Sequence, residues 1–210
     1  MNVETLTQES AYAENIRKGR TLEYLTIGWN LLEAIVSVGA GIFAGSVSLV
    51  GFGFDSLIEC ASGSAILWRL QEGKRGEQRE KFALKLVGIS FLLLAAYITF
   101  DALKSLIAFE PPEASYFGIA IAASSLVVMP LLARAKRRVA SNLNSRAMKA
   151  DSRQTDICAY LSAILLVGLS LNAMLGWWWA DSVAALVMLP IIVKEGVQAL
   201  RGETCSECHC

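Results

Sequence analysis

Asp55 and Glu59 lie four residues apart inside an otherwise apolar run from Val47 to Leu70. On a helix that spacing stacks two carboxylates on one face. The run is long enough to be a membrane helix, where an acid near the centre costs about 2.5–3.5 kcal/mol on insertion scales. Two hard oxygen donors one turn apart suit a divalent cation or a proton relay; a helix–helix polar contact with one acid protonated is the plainer alternative.

The rest of the chain must hold such a pair in a membrane. Hydrophobic residues make up 54% of the 210, and mean hydropathy is +0.47, with the apolar excess gathered in long blocks. Six blocks, near 22–44, 47–69, 83–108, 115–134, 155–177 and 179–197, each approach the roughly 20 residues that a bilayer crossing needs. The fold class expected is therefore all-α: a polytopic membrane protein built as a bundle of six transmembrane helices. Gly45-Ser46 reads as a tight hairpin, Glu110-Pro111-Pro112-Glu113 as a break, and Trp177-Trp178-Trp179 as an aromatic belt at the water interface. Pro130 and Pro190 fall inside the fourth and sixth helices, where a missing backbone donor kinks a helix.

Eighteen of the 19 Lys and Arg residues fall in the N-terminal arm, the second and fourth connections and the tail, and only Lys104 lies toward the other side. Because Lys and Arg resist translocation, both termini are expected in the cytosol, which gives an even number of spans and supports six. The division is then a cytosolic arm over 1–20, a transmembrane domain over 21–198 and a short cytosolic Cys-rich tail over 199–210. Acids and bases balance at 19 each, so nothing suggests nucleic acid, and the polar start of the chain lacks the apolar core of a secretory leader. Asp101 and Asp181 fall near the outer ends of their helices and are expected to be solvated. Asn30, Glu33 and Ser37 form a polar row on the first helix; Glu33 either lines the cavity or accepts a proton, or serves hydrogen-bonded packing, and it stays outside the expected site.

The five cysteines do not make a disulfide framework: Cys60 and Cys158 lie in apolar runs, and Cys205, Cys208 and Cys210 crowd the last six residues beside His209. The tail contains the C-x-x-C-H of haem attachment, but that chemistry takes place outside the cytoplasm. A flexible soft-metal site for zinc or copper(I) fits a cytosolic tail better, against an unstructured reduced tail.

Ser46-Val47-Ser48-Leu49-Val50 leading into Asp55-Ser56-Leu57-Ile58-Glu59 resembles the second helix of the cation diffusion facilitators. The resemblance extends over roughly 20–200, through the six-helix layout, the Lys149-Ala150-Asp151 start of helix five and the Ala180-Asp181 start of helix six. It implies a variant without the cytosolic C-terminal domain that many members carry, a homodimer, and a divalent metal site in which the helix-two pair joins a His or Asp and a second Asp four residues on in helix five. This chain departs from that pattern, since its sole histidine is His209.

Two registers of helix five compete for the second half of the site: Ser152 with Asp156, or Gln154 with Cys158. Asp151, Gln154, Thr155, Cys158 and Ser162 recur at three- and four-residue steps as one polar stripe, whereas the face of Asp156 runs on through Tyr160 into Ala163, Ile164 and Val167. The stripe makes the better cavity wall. It adds Gln154 and Cys158 to Asp55 and Glu59, with Asp151 at the inner vestibule; Asp156 brings a full charge that Gln154 lacks.

The sequence thus predicts a carrier and no enzyme. It would move a divalent ion, zinc by its mixed oxygen, sulfur and amide donors, out of the cytosol in exchange for protons, with the ion as cargo and no cofactor. Its partners are the lipid bilayer, the metal ion and protons. The alternative is a non-transporting membrane protein that binds metal and hands it on, or regulates a partner, through the tail.

Overall fold

A computed structural model describes residues 3–72, 77–108, 112–143 and 145–201, and the described residues contain helices and no strands. The helices are α1 (Val3–Ala44), α2 (Val47–Glu72), α3 (Glu77–Ala108), α4 (Tyr116–Asn142), α5 (Arg146–Leu175) and α6 (Trp179–Arg201). Five contain stretches long and apolar enough to cross a membrane: Tyr12–Ala44, Val47–Leu67, Phe91–Ala108, Tyr116–Asn142 and Asp151–Leu175. The sixth, α6, carries four charged residues, Asp181, Lys194, Glu195 and Arg201, along a mostly apolar length. The expected six-helix bundle is what forms.

Several helices run past the predicted spans. No break separates the N-terminal arm from the first span: α1 is one helix of 42 residues. Likewise α4 continues beyond residue 134 to Asn142, so Arg134, Lys136, Arg137 and Arg138 are helical rather than part of a connection. Pro130 and Pro190 are accommodated inside α4 and α6 without ending either helix.

Helix ends follow local chemistry. Gly45 takes φ 65°, a left-handed conformation open to glycine at little cost, and lets α1 reverse into α2 with Ser46 N–H donating to Gly41 O at 2.9 Å. Ser115 caps α4, its hydroxyl accepting from Gly118 N–H at 3.1 Å, and Ser145 caps α5 by accepting from Met148 N–H at 3.4 Å. Such caps satisfy backbone donors that the first helical turn leaves open. Trp177 and Trp179 stack at 5.2 Å where α5 gives way to α6.

The most extensive packing joins α1 with α2, α4 with α5 and α3 with α6, while α2 also touches α3, α5 and α6 and so lies at the centre. The α3–α6 crossing is close because Gly88 faces Gly196: a Cβ on Gly88 would sit 2.8 Å from the Gly196 carbonyl oxygen. Phe52, Ile98, Met129, Leu161, Leu165 and Met188 belong to the principal apolar core. Large apolar side chains such as Phe43, Phe100, Ile107, Phe117 and Met174 point outward, as a lipid-facing surface requires.

At one end of the bundle the α1–α2 turn, the segment before α4 and the start of α6 are tied together. Glu113 N–H donates to Ala44 O at 2.7 Å and Asn172 Nδ2 to Pro112 O at 3.0 Å. Asp181 belongs to this knot and corrects the expectation of a solvated acid: it is 1% exposed and accepts from the hydroxyls of Ser46, at 2.6 Å, and Ser48. It also receives the Ser48 N–H at 3.4 Å, so it anchors the start of α2 to α6. At the opposite end Val139, Ala140 and Met148 pack with Leu22 and Leu143, and Asn142 Nδ2 donates to Asn15 Oδ1 at 3.1 Å.

Candidate cation site

The bundle interior is lined with polar side chains from four helices. On α1, Glu23, Thr26, Asn30, Glu33 and Ser37 succeed one another at three- and four-residue steps, and all are fully buried. A face of that kind turns inward because hydrocarbon gives its donors and acceptors no partner. From α2 come Asp55, Ser56 and Glu59; from α4, Ser125 and Lys136; from α5, Asp151, Ser152, Thr155, Cys158 and Ser162.

Midway along the bundle, Glu33 Oε2 accepts from Ser56 Oγ at 2.8 Å, and Oε1 accepts from the Ser125 hydroxyl. Ser125 in turn accepts from Trp29 Nε1 at 3.0 Å. The Cys158 thiol lies 3.9 Å from Glu33 Oε2, and the carboxyls of Glu33, Glu59 and Asp55 all act on it electrostatically. Asp55, 6% exposed, has Glu59, Glu33 and Glu195 as its charged neighbours. Glu59, 1% exposed, accepts from Thr155 Oγ1 at 2.7 Å through Oε1, while its Oε2 has no hydrogen-bond partner among the described residues.

Toward the end opposite the α1–α2 turn, Lys136 is fully buried. Its Nζ lies 2.5 Å from Asp151 Oδ2, 3.0 Å from Glu23 Oε2 and 3.5 Å from Thr155 Oγ1. One ammonium therefore joins α4 to α1 and α5, and through Thr155 it stands one hydroxyl away from Glu59.

Of the residues read from sequence, Asp55, Glu59, Asp151 and Cys158 all turn inward, and Gln154 is half-buried. Asp151 is held by Lys136, toward the end of the bundle opposite the α1–α2 turn. Asp156 faces elsewhere, with its two oxygens 2.6 and 3.3 Å from the guanidinium nitrogens of Arg137 in a partly exposed ion pair. Asp101 is half-buried and accepts from Tyr97 at 3.3 Å. Cys205, Cys208, His209 and Cys210 lie outside the described residues. Among the described residues no three His, Cys, Asp or Glu side chains are gathered closely enough to hold a metal ion as they stand, so the donors share an interior without converging on one point.

Three interior residues were not among the expected site residues. Glu33 belongs to it by the same spacing that revealed Asn30 and Ser37, and Glu23 extends that row by two further steps. Lys136 was grouped with its basic neighbours, although Ser125, Met129, Ala133, Lys136 and Ala140 form one inward row of α4. Its place on that row, away from Arg134, Arg137 and Arg138, is the signal in the sequence.

An all-helical bundle with ionisable side chains turned into its interior defines a class, that of polytopic membrane proteins with an internal polar site. The profile of the cation efflux transmembrane domain matches residues 24–203, and the chain belongs to that family. It is an integral, multi-pass membrane protein. It is 28% identical over 194 residues to an uncharacterized transporter of Synechocystis, covering 88% of this chain and 63% of that protein. It is 25% identical over 194 residues to Transmembrane protein 163 of Xenopus laevis, covering 90% of this chain and 68% of the relative. An uncharacterized transporter of Methanocaldococcus jannaschii is 25% identical over 179 residues, 81% of this chain and 63% of that protein. The chain thus spans somewhat under two thirds of two of these relatives.

Proposed function

We propose that this protein is a secondary carrier that moves a divalent metal cation out of the cytosol in exchange for protons, with the ion bound midway by Asp55 and Glu59. One observation carries the reading: a carboxylate pair on α2 is buried in the interior of a cation efflux domain and forms no ion pair with a basic side chain among the described residues, Lys136 reaching Glu59 only through Thr155. Glu23, Glu33, Asp55, Glu59 and Asp151 bring five buried carboxyls, and Lys136 is the one fully buried basic side chain among the described residues. Charge left unpaired in low dielectric costs several kcal/mol per ion. The interior is therefore neutralised by protons or by a bound cation, and competition between the two is a coupling mechanism, because a protonated carboxyl is a poor ligand.

Cys158 and Gln154 of α5 complete the donor set, and the oxygen, sulfur and amide donors favour zinc. Binding draws α5 toward α2, since the donors are not gathered in this conformation; that movement is the transport step. The termini lie in the cytosol by the distribution of Lys and Arg, and Cys205, Cys208, His209 and Cys210 form an accessory soft-metal site there.

Purified protein in zinc-loaded liposomes under a pH gradient tests the reading. Wild type is expected to move zinc, and Asp55→Ala to fall to the protein-free background. No zinc movement by wild type, or an unchanged rate for Asp55→Ala, overturns it. Removal of residues 205–210 is expected to leave transport largely intact; its loss would favour a protein that acts through its tail.

A further inference from the structure

We propose that Glu23 and Asp151 form a second divalent-cation site, separate from Asp55 and Glu59, which the ammonium of Lys136 occupies in this conformation.

Geometry, hydrogen bonding and charge support this independently. Two carboxylates from different helices converge on one point, with Nζ of Lys136 2.5 Å from Asp151 and 3.0 Å from Glu23. The ammonium does not satisfy them: Glu23 Oε1 and Asp151 Oδ1 are buried and have no hydrogen-bond partner among the described residues. A lysine offers three donors, and these face Asp151, Glu23 and Thr155. With both carboxylates ionised, one ammonium leaves a net buried charge of about −1, which a shared proton closes; a divalent ion in place of the ammonium brings the pair to zero and takes the two idle oxygens as ligands.

Lysine suits the place of a removable occupant. Its charge is compact and its stem flexible, so Nζ can withdraw while Glu23 and Asp151 stay in place. The Thr155 hydroxyl accepts from Lys136 and donates to Glu59 at 2.7 Å, which puts this second site next in line to the α2 pair. An ion that displaces Lys136 is then one hydroxyl from Glu59. The ligand class rests on the carrier reading, but its test is a binding measurement without transport.

The experiment uses the full chain with Cys205, Cys208 and Cys210 changed to Ser and with Asp55→Ala, so that the tail and the α2 pair do not contribute. Cadmium and zinc binding is measured by equilibrium dialysis in detergent. Adding Lys136→Gln is expected to tighten binding by about tenfold, and further addition of Glu23→Gln with Asp151→Asn to abolish the gain. Lys136→Arg, which keeps the charge, is expected to give no gain. The proposal is overturned if Lys136→Gln binds no more tightly, or if the gain survives loss of both carboxylates. Should Lys136→Gln be aggregated without metal, zinc or cadmium is expected to restore a monodisperse protein through Glu23 and Asp151; failure to restore it equally overturns the proposal. Failed transport with this binding intact would count against the carrier reading alone.

Discussion

The two acidic clusters of the interior differ in how their charge is met. At the end opposite the α1–α2 turn, Glu23 and Asp151 share the ammonium of Lys136. Midway along the bundle, Glu33 and Glu59 have hydroxyl partners from Ser56, Ser125 and Thr155, and Asp55 has acidic neighbours. Hydroxyls satisfy lone pairs but do not neutralise charge. The first cluster thus carries a cation of its own that ties α1, α4 and α5 together, whereas the second has that cation only at a distance, acting on Glu59, and in the proposed carrier takes its own from outside. In the proposed carrier the two kinds serve different steps: the Lys136 pair holds one end of the pathway in register until an ion displaces its ammonium, and the α2 pair binds cargo and yields it to protons.

That contrast has its largest consequence for stability. Lys136→Gln removes the charge that two buried carboxylates share, and breaking a buried pair from one side costs about 3–5 kcal/mol. In metal-free buffer the variant is expected to melt well below wild type. The neutral triple variant Glu23→Gln, Lys136→Gln, Asp151→Asn should recover most of the loss, since it strands no charge. If Lys136→Gln melts with wild type, Lys136 does not compensate those acids and the distinction between the clusters collapses.

A smaller effect is expected in the middle cluster. Glu33→Gln keeps the size of the side chain and an oxygen acceptor for a serine hydroxyl, but removes a negative charge that acts on Asp55. Zinc affinity is expected to weaken by about three- to tenfold, as loss of one nearby charge at intermediate dielectric implies, with little change in melting temperature. This is read as the zinc concentration giving half-maximal uptake. An unchanged value would make Glu33 a packing residue and confine the ion site to α2 and α5.

Much of this contrast is legible in the sequence, and its limits have a physical cause. Hydropathy finds helices because each must present apolar surface to lipid, and the four-residue step of Asp55 and Glu59 declares a shared face. The row Asn30, Glu33, Ser37 is equally visible, yet periodicity gives a direction on one helix and not the neighbour it meets, so Glu33 could not be assigned to Ser56, Ser125 and Cys158. Lys136 was hidden by its company. Positive-inside counting treats basic residues alike, and one buried lysine among exposed arginines changes the count by one. Asp181 departs from the solvated acid that nearness to a helix end implies, because Ser46 and Ser48 close over it. The partner of Asp156 was beyond sequence altogether, since Arg137 meets it across the α4–α5 contact.

Asp156 therefore supplies the smallest and most discriminating test. It is a full charge on α5, close in sequence to Thr155 and Cys158, and by residue type it is the rival partner of the α2 pair. Its bond to Arg137 turns it away from the interior, and an ion pair that water reaches is worth about 0–1 kcal/mol. Asp156→Asn is thus expected to melt within that margin and to carry zinc in liposomes at the wild-type rate, whereas Cys158→Ala is expected to lower it. The reverse outcome would mean that α5 rotates during the cycle far enough to exchange one face for the other. The pair with Arg137 would then be a resting contact broken at each turnover, and the cargo would meet a third carboxylate, after Asp55 and Glu59, only in a conformation where Asp156 has left the surface.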